Sequence, residues 1–357
     1  MSYHIPKTQV AAVVPGRNQS VVIQHDFPVT QPSELKPGQC LVKMIGTGVC
    51  HTDLHVSRWD WPIEPVTPLV GGHEGVGEVV AIAAHTEASP VKLGQRVGIK
   101  WIAYSCGDCE QCRQGLEQNC VSAKLSGCTV NGTFSQYVVS WVHIVTPIPE
   151  GFDSFAAASV LCAGVTVYRA LKYSDARIGH WVVIPGAGGG LGHLAVQYAV
   201  AMGMRVVAID TGAEKKKLCL ELGAEKWVDF KQTTNLVSAI KEACDGLGPH
   251  AAVVTSPYSE GYTQAVDYLR PGGTLMAVGM PGDAKFETSI FWTVVKNISI
   301  KGSYVGNRQD SIEAIEIAAS GKVKVIYALK GLSDLGQVYN DLQKGNVAGR
   351  IVLDSSK

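Results

Sequence analysis

From about residue 9 to residue 146 the apolar positions come in short β-like runs, each broken by Gly or Pro after a few residues. Runs of that length with those breakers predict strands, here at 39–45, 75–82, 96–101 and 135–139, and so a mainly β domain. After residue 175 the pattern changes. An apolar run at 181–185 is followed by helical periodicity over 191–202, a second run at 205–210 and a second helical stretch over 213–222. Further strands at 227–230, 251–255, 274–279 and 298–305 complete a parallel sheet of about six strands with helices on both faces, the size of a doubly wound α/β domain. From Asp310 onward the rhythm breaks. No internal repeat or low-complexity segment is visible.

A chain of 357 residues exceeds one typical core and predicts two domains, and 46% hydrophobic with 17% charged residues is the balance of a globular protein. The 31 basic and 31 acidic side chains cancel, so no net field draws the chain to nucleic acid or to anionic lipid. The most apolar stretch, 155–168, is interrupted by Ser159 and Thr166 and falls short of the roughly 18 apolar residues a membrane span needs. Residues 1–10 carry one Lys, no Arg and no apolar signal core, which predicts a soluble, cytoplasmic protein.

A reducing cytoplasm changes the meaning of ten cysteines, because a disulfide framework is not expected there. Cys106, Cys109, Cys112 and Cys120 stand at spacings that gather four thiols on one polar, Gly-containing loop. Four thiolates close a tetrahedral site, so this one predicts a structural zinc. The loop lacks the clustered Lys and Arg of a nucleic-acid-binding zinc module. Cys40, Cys128, Cys219 and Cys244 are isolated and read as buried small hydrophobes. Cys50-His51-Thr52-Asp53-Leu54-His55, followed by Gly71-Gly72-His73-Glu74-Gly75-Val76-Gly77, is different in kind. Thiolate and imidazole ligands favour zinc over magnesium or calcium, and three protein ligands leave one position open for chemistry. The spacing does not identify the third ligand.

Between the first strand and the first helix of the doubly wound half lies Gly186-Ala187-Gly188-Gly189-Gly190-Leu191-Gly192, a turn that lets backbone approach a pyrophosphate at a helix N-terminus. Asp210 ends the next strand, where its carboxylate can accept from both adenosine ribose hydroxyls and repel a 2′-phosphate, so NAD is favoured over NADP. The strict G-x-G-x-x-G spacing is not met, since Ala187 falls on the first glycine position, and a local departure in turn geometry is expected.

These segments, together with Leu161-Cys162-Ala163-Gly164-Val165-Thr166 and Gly302-Ser303-Tyr304-Val305-Gly306-Asn307-Arg308, resemble in order and spacing the zinc-dependent medium-chain alcohol dehydrogenases of the yeast type, over nearly the whole chain. The resemblance implies a GroES-like mainly β catalytic domain, 1–162 and 306–357, with a structural zinc lobe at about 104–122. A Rossmann NAD-binding domain, 163–305, is inserted between the two parts. It implies Cys50, His73 and Cys162 as ligands of a catalytic zinc, Glu74 as a carboxylate able to approach the metal, and Asp53 as the partner that orients His73. The implied cofactor contacts are His51 and Arg350 near the pyrophosphate, the glycine turn with Leu191, Asp210 and Lys215 at the ribose, and Thr166 and Val305 near the nicotinamide. Val278, Met280 and Ser303 are further implied contacts. His51 stands where many relatives have Arg, which implies a looser grip.

With NAD as hydride acceptor, Thr52 would take the alcohol proton and His55 would pass it to solvent, the imidazole being suited to proton exchange near neutral pH. Trp61, Trp101 and Met280 would line a narrow substrate pocket suited to ethanol and other short primary alcohols. A homotetramer is also implied. The alternatives are an aldehyde reductase or aromatic-alcohol dehydrogenase, and a zinc-ordered sensor or nucleic-acid-binding protein that would leave Thr52, His55 and Glu74 unexplained.

Overall fold

The computed structural model describes residues 3–280, 282, 284–344, 347 and 349–357, so the N-terminal reading over 1–10 falls partly outside it, at Met1 and Ser2. The chain divides into two compact units. One comprises Met1–Cys162, Gly306–Ala319 and Val325–Lys357; the other comprises Ala163–Val305 and Ser320–Lys324. The pentapeptide Ser320–Lys324 departs from the expectation that all of 306–357 returns to the first domain. Its attachment is local: the Gln197 carboxamide donates to Lys324 O at 2.9 Å and accepts from Lys324 N at 2.7 Å.

In the first unit the long strand Gln39–Val49 is the centre of a seven-stranded sheet. It pairs antiparallel with Gly75–Ile82, with Tyr137–Trp141 and with the C-terminal strand Arg350–Asp354. Alternation on these strands and on Arg96–Ile99, which pairs with Gly75–Ile82, turns Cys40, Val42, Met44, Val79, Val97, Ile99 and Val138 into one core. The last pairing explains the broken rhythm after Asp310, because Ile351 lies opposite Val49, one residue before Cys50. A second core holds Val13, Val49, Phe134, Leu332 and Leu353 around Leu54, and so anchors the short helix His51–Ser57 by its buried face.

The second unit is a six-stranded parallel sheet. Its spatial order is Lys226–Asp229, Arg205–Asp210, Trp181–Pro185, Ala251–Val254, Thr274–Ala277, Ser299–Gly302. All five residues of Trp181–Pro185 are buried, as a central parallel strand covered on both faces requires. Sequence order reverses at this strand: its successor pairs on one side, and the chain crosses back to place Ala251–Val254 on the other. Ligands of doubly wound folds bind at such a switch point.

The 155–168 stretch belongs to a helical run, Ser154–Lys172, of 19 residues. By length and composition alone that run could cross a membrane, which corrects the expectation that it is too short; 89% of its apolar window is buried inside the protein, as in a core helix. Asp153 caps its start, accepting from the N–H groups of Phe155 and Ala156. The run is interrupted by a π turn, Val160–Gly164, which contains Cys162.

Candidate active site

Cys50 sits at the N-cap of the helix His51–Ser57, where the chain leaves the sheet after Val49. The helix buries Asp53, Leu54, Val56 and Ser57 and leaves His51 exposed and Thr52 and His55 half-buried, so these three share its open side. Asp53 is 3% exposed and accepts three hydrogen bonds: from Cys50 N (2.9 Å), from Gly72 N (3.2 Å) and from His73 Nδ1 (2.8 Å). A carboxylate only accepts, so Nδ1 carries a proton and Nε2 is the nitrogen turned toward a metal. Burial works against charge on His73, and the Asp53 carboxylate outweighs it, holding the ring well above the ordinary imidazole range, so a bound metal would have to displace the Nε2 proton.

Nε2 faces sulfur. His73 Nε2 lies 3.2 Å from Cys162 Sγ, which is 3.9 Å from Cys50 Sγ. A zinc tetrahedron with bonds of about 2.0–2.3 Å has edges of about 3.3–3.8 Å, close to these two separations. One ligand atom from each of Cys50, His73, Glu74 and Cys162 lies within 4.8 Å of all the others. The hydrogen bond from Cys162 holds the Cys50 thiol well below its ordinary range and Cys162 well above it, so a dication is what allows both to be thiolates.

Glu74 is fully buried, and burial pushes its carboxyl up to about 8. One oxygen accepts from the Arg350 guanidinium; the other, Oε2, has no hydrogen-bond partner among the described residues, an orphaned lone pair beside the donor set. Gly48 makes room for this carboxylate, since a Cβ there would lie 2.6 Å from Glu74 Cδ. Arg350 is 5% exposed, and its mapped polar partner is this buried carboxylate. No short-range signal could have shown that pairing, because the partners are 276 residues apart.

Trp101 is buried with its ring edge-on to His73, centroids 5.2 Å apart, and Trp61 meets Trp101 edge-on at 6.2 Å. Within the same unit the Sγ atoms of Cys106, Cys109, Cys112 and Cys120 form a second group within 4.8 Å. Backbone N–H groups of Cys109, Cys106 and Ser122 point at its sulfurs, and the N–H of Cys112 lowers the Cys109 thiol to about 6. Burial pushes the Cys112 thiol up to about 12, so the ion of a closed structural zinc site would itself be needed to make all four thiolates.

In the second unit the glycine turn follows Trp181–Pro185 and opens the helix Gly192–Ala201. Gly186 has φ +83, and a Cβ on Gly192 would lie 2.0 Å from Gly186 O, so both must be glycine. Asp210 accepts from Gly188 N at 3.0 Å and from Lys215 Nζ at 2.9 Å, which ties the turn to the end of the neighbouring strand. Gly189 and Gly190 are half-buried and Leu191 is the N-cap of the helix. Thr166 and Val278 are buried, Met280 is 53% exposed, and the Ser303 hydroxyl is buried without a partner among the described residues. Val305 has φ +39, an unusual backbone for a β-branched residue.

Residues 36–150 match the family model of the alcohol dehydrogenase GroES-like domain, and residues 190–320 that of zinc-binding dehydrogenases. Alcohol dehydrogenase 1 of Neurospora crassa is 47% identical over 356 residues, 99% of each chain, and the alcohol dehydrogenase of Schizosaccharomyces pombe is 47% identical over 355, again 99% of each. Among solved structures, the alcohol dehydrogenase of Aeropyrum pernix superposes with a TM-score of 0.85 at 30% identity, covering 97% of this chain and 99% of that one. The acetophenone reductase of Geotrichum candidum in complex with NAD gives 0.85 at 27%, covering 99% and 98%. The chain therefore belongs to the zinc-binding alcohol dehydrogenases. Its activity is that of the fungal type, a zinc- and NAD-dependent oxidoreductase acting between alcohols and aldehydes or ketones.

Proposed function

We propose that the enzyme oxidises ethanol and other short primary alcohols with NAD, and that Cys50, His73 and Cys162 hold the catalytic zinc. The observation that carries this reading is Asp53, whose carboxylate fixes the Cys50 amide and the His73 ring together so that Nε2 faces the Cys162 sulfur. Zinc held there would supply Lewis acidity, lowering the pKa of an alcohol hydroxyl. The glycine turn 186–192 would hold the pyrophosphate of NAD, with His51 as a further contact, and Asp210 and Lys215 would hold its adenosine ribose; the cofactor would supply the hydride acceptor.

The Thr52 hydroxyl would accept the alcohol proton, and His55 would return it to water. Thr166, Val278, Met280, Ser303 and Val305 hold the nicotinamide end. Arg350 acts first on Glu74, whose carboxylate it keeps in place. Trp61 and Trp101 narrow the alcohol site, and this favours small substrates over aromatic alcohols. Cys106, Cys109, Cys112 and Cys120 hold the structural zinc.

The enzyme is read as a soluble, cytoplasmic homotetramer. Support for self-association comes from Ile290, Phe291, Trp292, Val294 and Val295, all more than half exposed beside the edge strand Ser299–Gly302, an apolar face that a second copy would cover. Sedimentation as a monomer would end that part of the reading. A panel of ethanol, longer, branched and aromatic alcohols with NAD and NADP tests the rest. Ethanol with NAD should give the highest kcat/KM, and preference for cinnamyl or benzyl alcohol, or for NADP, would overturn it.

A further inference from the structure

The helix His51–Ser57 ends in an unusual way. Trp59 has φ +56, a left-handed backbone that costs a large side chain of order 1–3 kcal/mol and persists only where the surroundings enforce it. Here they do: Trp59 is 8% exposed, and its indole N–H donates to Glu64 Oε1 at 3.0 Å. The reversal folds the next two residues back over His55. Asp60 N donates to His55 O at 3.1 Å, Asp60 Oδ2 lies 3.2 Å from His55 Nδ1, and the Trp61 ring stacks on the imidazole at 5.6 Å with the planes 18° apart.

From this geometry we infer that Asp60 is a positioning residue for the proton exit. Its carboxylate accepts the Nδ1 proton, which leaves the Nε2 lone pair as the imidazole's acceptor, while Trp61 fixes the plane of the ring. The inference rests on the relay through Thr52 and His55 proposed above. In that relay Nε2 takes the proton that originated on the alcohol and the ring becomes an imidazolium, with both nitrogens protonated and Asp60 compensating the charge. Loss of one proton to solvent water restores the neutral ring. Nothing else is consumed. With His55 and Asp60 side chains 35% and 44% exposed, solvent reaches the exit, so Asp60 acts mainly by selecting the tautomer and orientation. Trp61 also meets Trp101, which packs on His73, so one indole bounds both the alcohol site and the proton exit.

The test is transient kinetics on the zinc-loaded enzyme mixed with NAD and ethanol, following proton release with an indicator dye and NADH by its absorbance. His55→Ala and Asp60→Ala should both slow proton release, by about tenfold, with the ethanol KM within about twofold of native. Asp60→Glu should recover most of the rate. Asp60→Asn should fall between, because its carboxamide can hold the ring in either tautomer, and concentrated Tris, an exogenous base, should partly restore Asp60→Ala. Slowing in His55→Ala without slowing in Asp60→Ala would overturn the role of Asp60 and leave the relay standing. No effect in His55→Ala would overturn the relay and the positioning role with it. A loss in Asp60→Ala that raises KM and resists Tris would mean a structural role only.

Discussion

Asp53 accepts from two backbone amides and one imidazole, and those donors belong to the two segments that carry Cys50 and His73. An Asn in its place has one accepting oxygen and a competing donor, so at least one of the three bonds must be lost. Asp53→Asn should lower affinity for the catalytic zinc by about 10–100-fold while the four-cysteine site keeps its metal. Chelator competition followed by elemental analysis should find close to one zinc per chain; two tightly held zincs would show that Asp53 does not orient His73. The sequence neighbourhood made Asp53 a candidate, but the pairing of Arg350 with Glu74 had no signal there. It depends on the C-terminal strand joining the sheet beside Val49.

At the scale of elements, the turn from Trp181–Pro185 into Gly192–Ala201 is closed by backbone contact. The Gly192 α-carbon stands so near Gly186 O and Ala187 that an added methyl would meet only main chain, 2.0 and 2.6 Å away, with no flexible side chain to yield. Gly192→Ala should therefore cost about 1–3 kcal/mol of stability. It should also weaken NAD binding, since the displaced turn is the one proposed to carry the pyrophosphate. Denaturant unfolding and titration with NADH would measure the two effects, and unchanged values would mean that the turn relaxes without cost. Ala187, which breaks the strict glycine pattern, is fully buried, so its methyl packs inward. The π turn at Val160–Gly164 was not legible in the sequence. Small apolar residues in 155–168 conceal helical periodicity, and a π turn has no short-range composition of its own.

At the scale of the whole molecule, Lys100 is a buried cation that the proposed chemistry does not use. It is 4% exposed, donates to Ile144 O and sits 3.4 Å from Thr146 Oγ1, and burial lowers its ammonium pKa to about 7. Between pH 7 and the unfolded value near 10.5 the unfolded chain binds the proton that the folded chain has lost, so this group's contribution to stability rises with pH across that window. Below pH 7 both states are protonated and the cost of burying the charge is complete, of order a few kcal/mol. Thermal unfolding of Lys100→Met against native protein should show the variant gaining relative stability as pH falls from 10 to 7, and flattening below. A difference independent of pH would show that Lys100 is not titrating in that range.

The sequence by itself determined the ligand types, the order of the metal and dinucleotide segments, and the change from β runs to β/α alternation. These are short-range properties, set by the period of strand and helix and by residues a few positions apart. Strand ends shifted by no more than four positions, as from 39–45 to Gln39–Val49 and from 298–305 to Ser299–Gly302. Only the tertiary structure decided which donors converge. Cys162 comes to Cys50 across 112 residues and Arg350 to Glu74 across 276, through strand pairing and the placement of a π turn. Even Asp60, five residues from His55, needed the left-handed turn at Trp59 to reach its imidazole. Spacing fixes which side chains are available, whereas register, burial and backbone reversals fix which of their atoms meet.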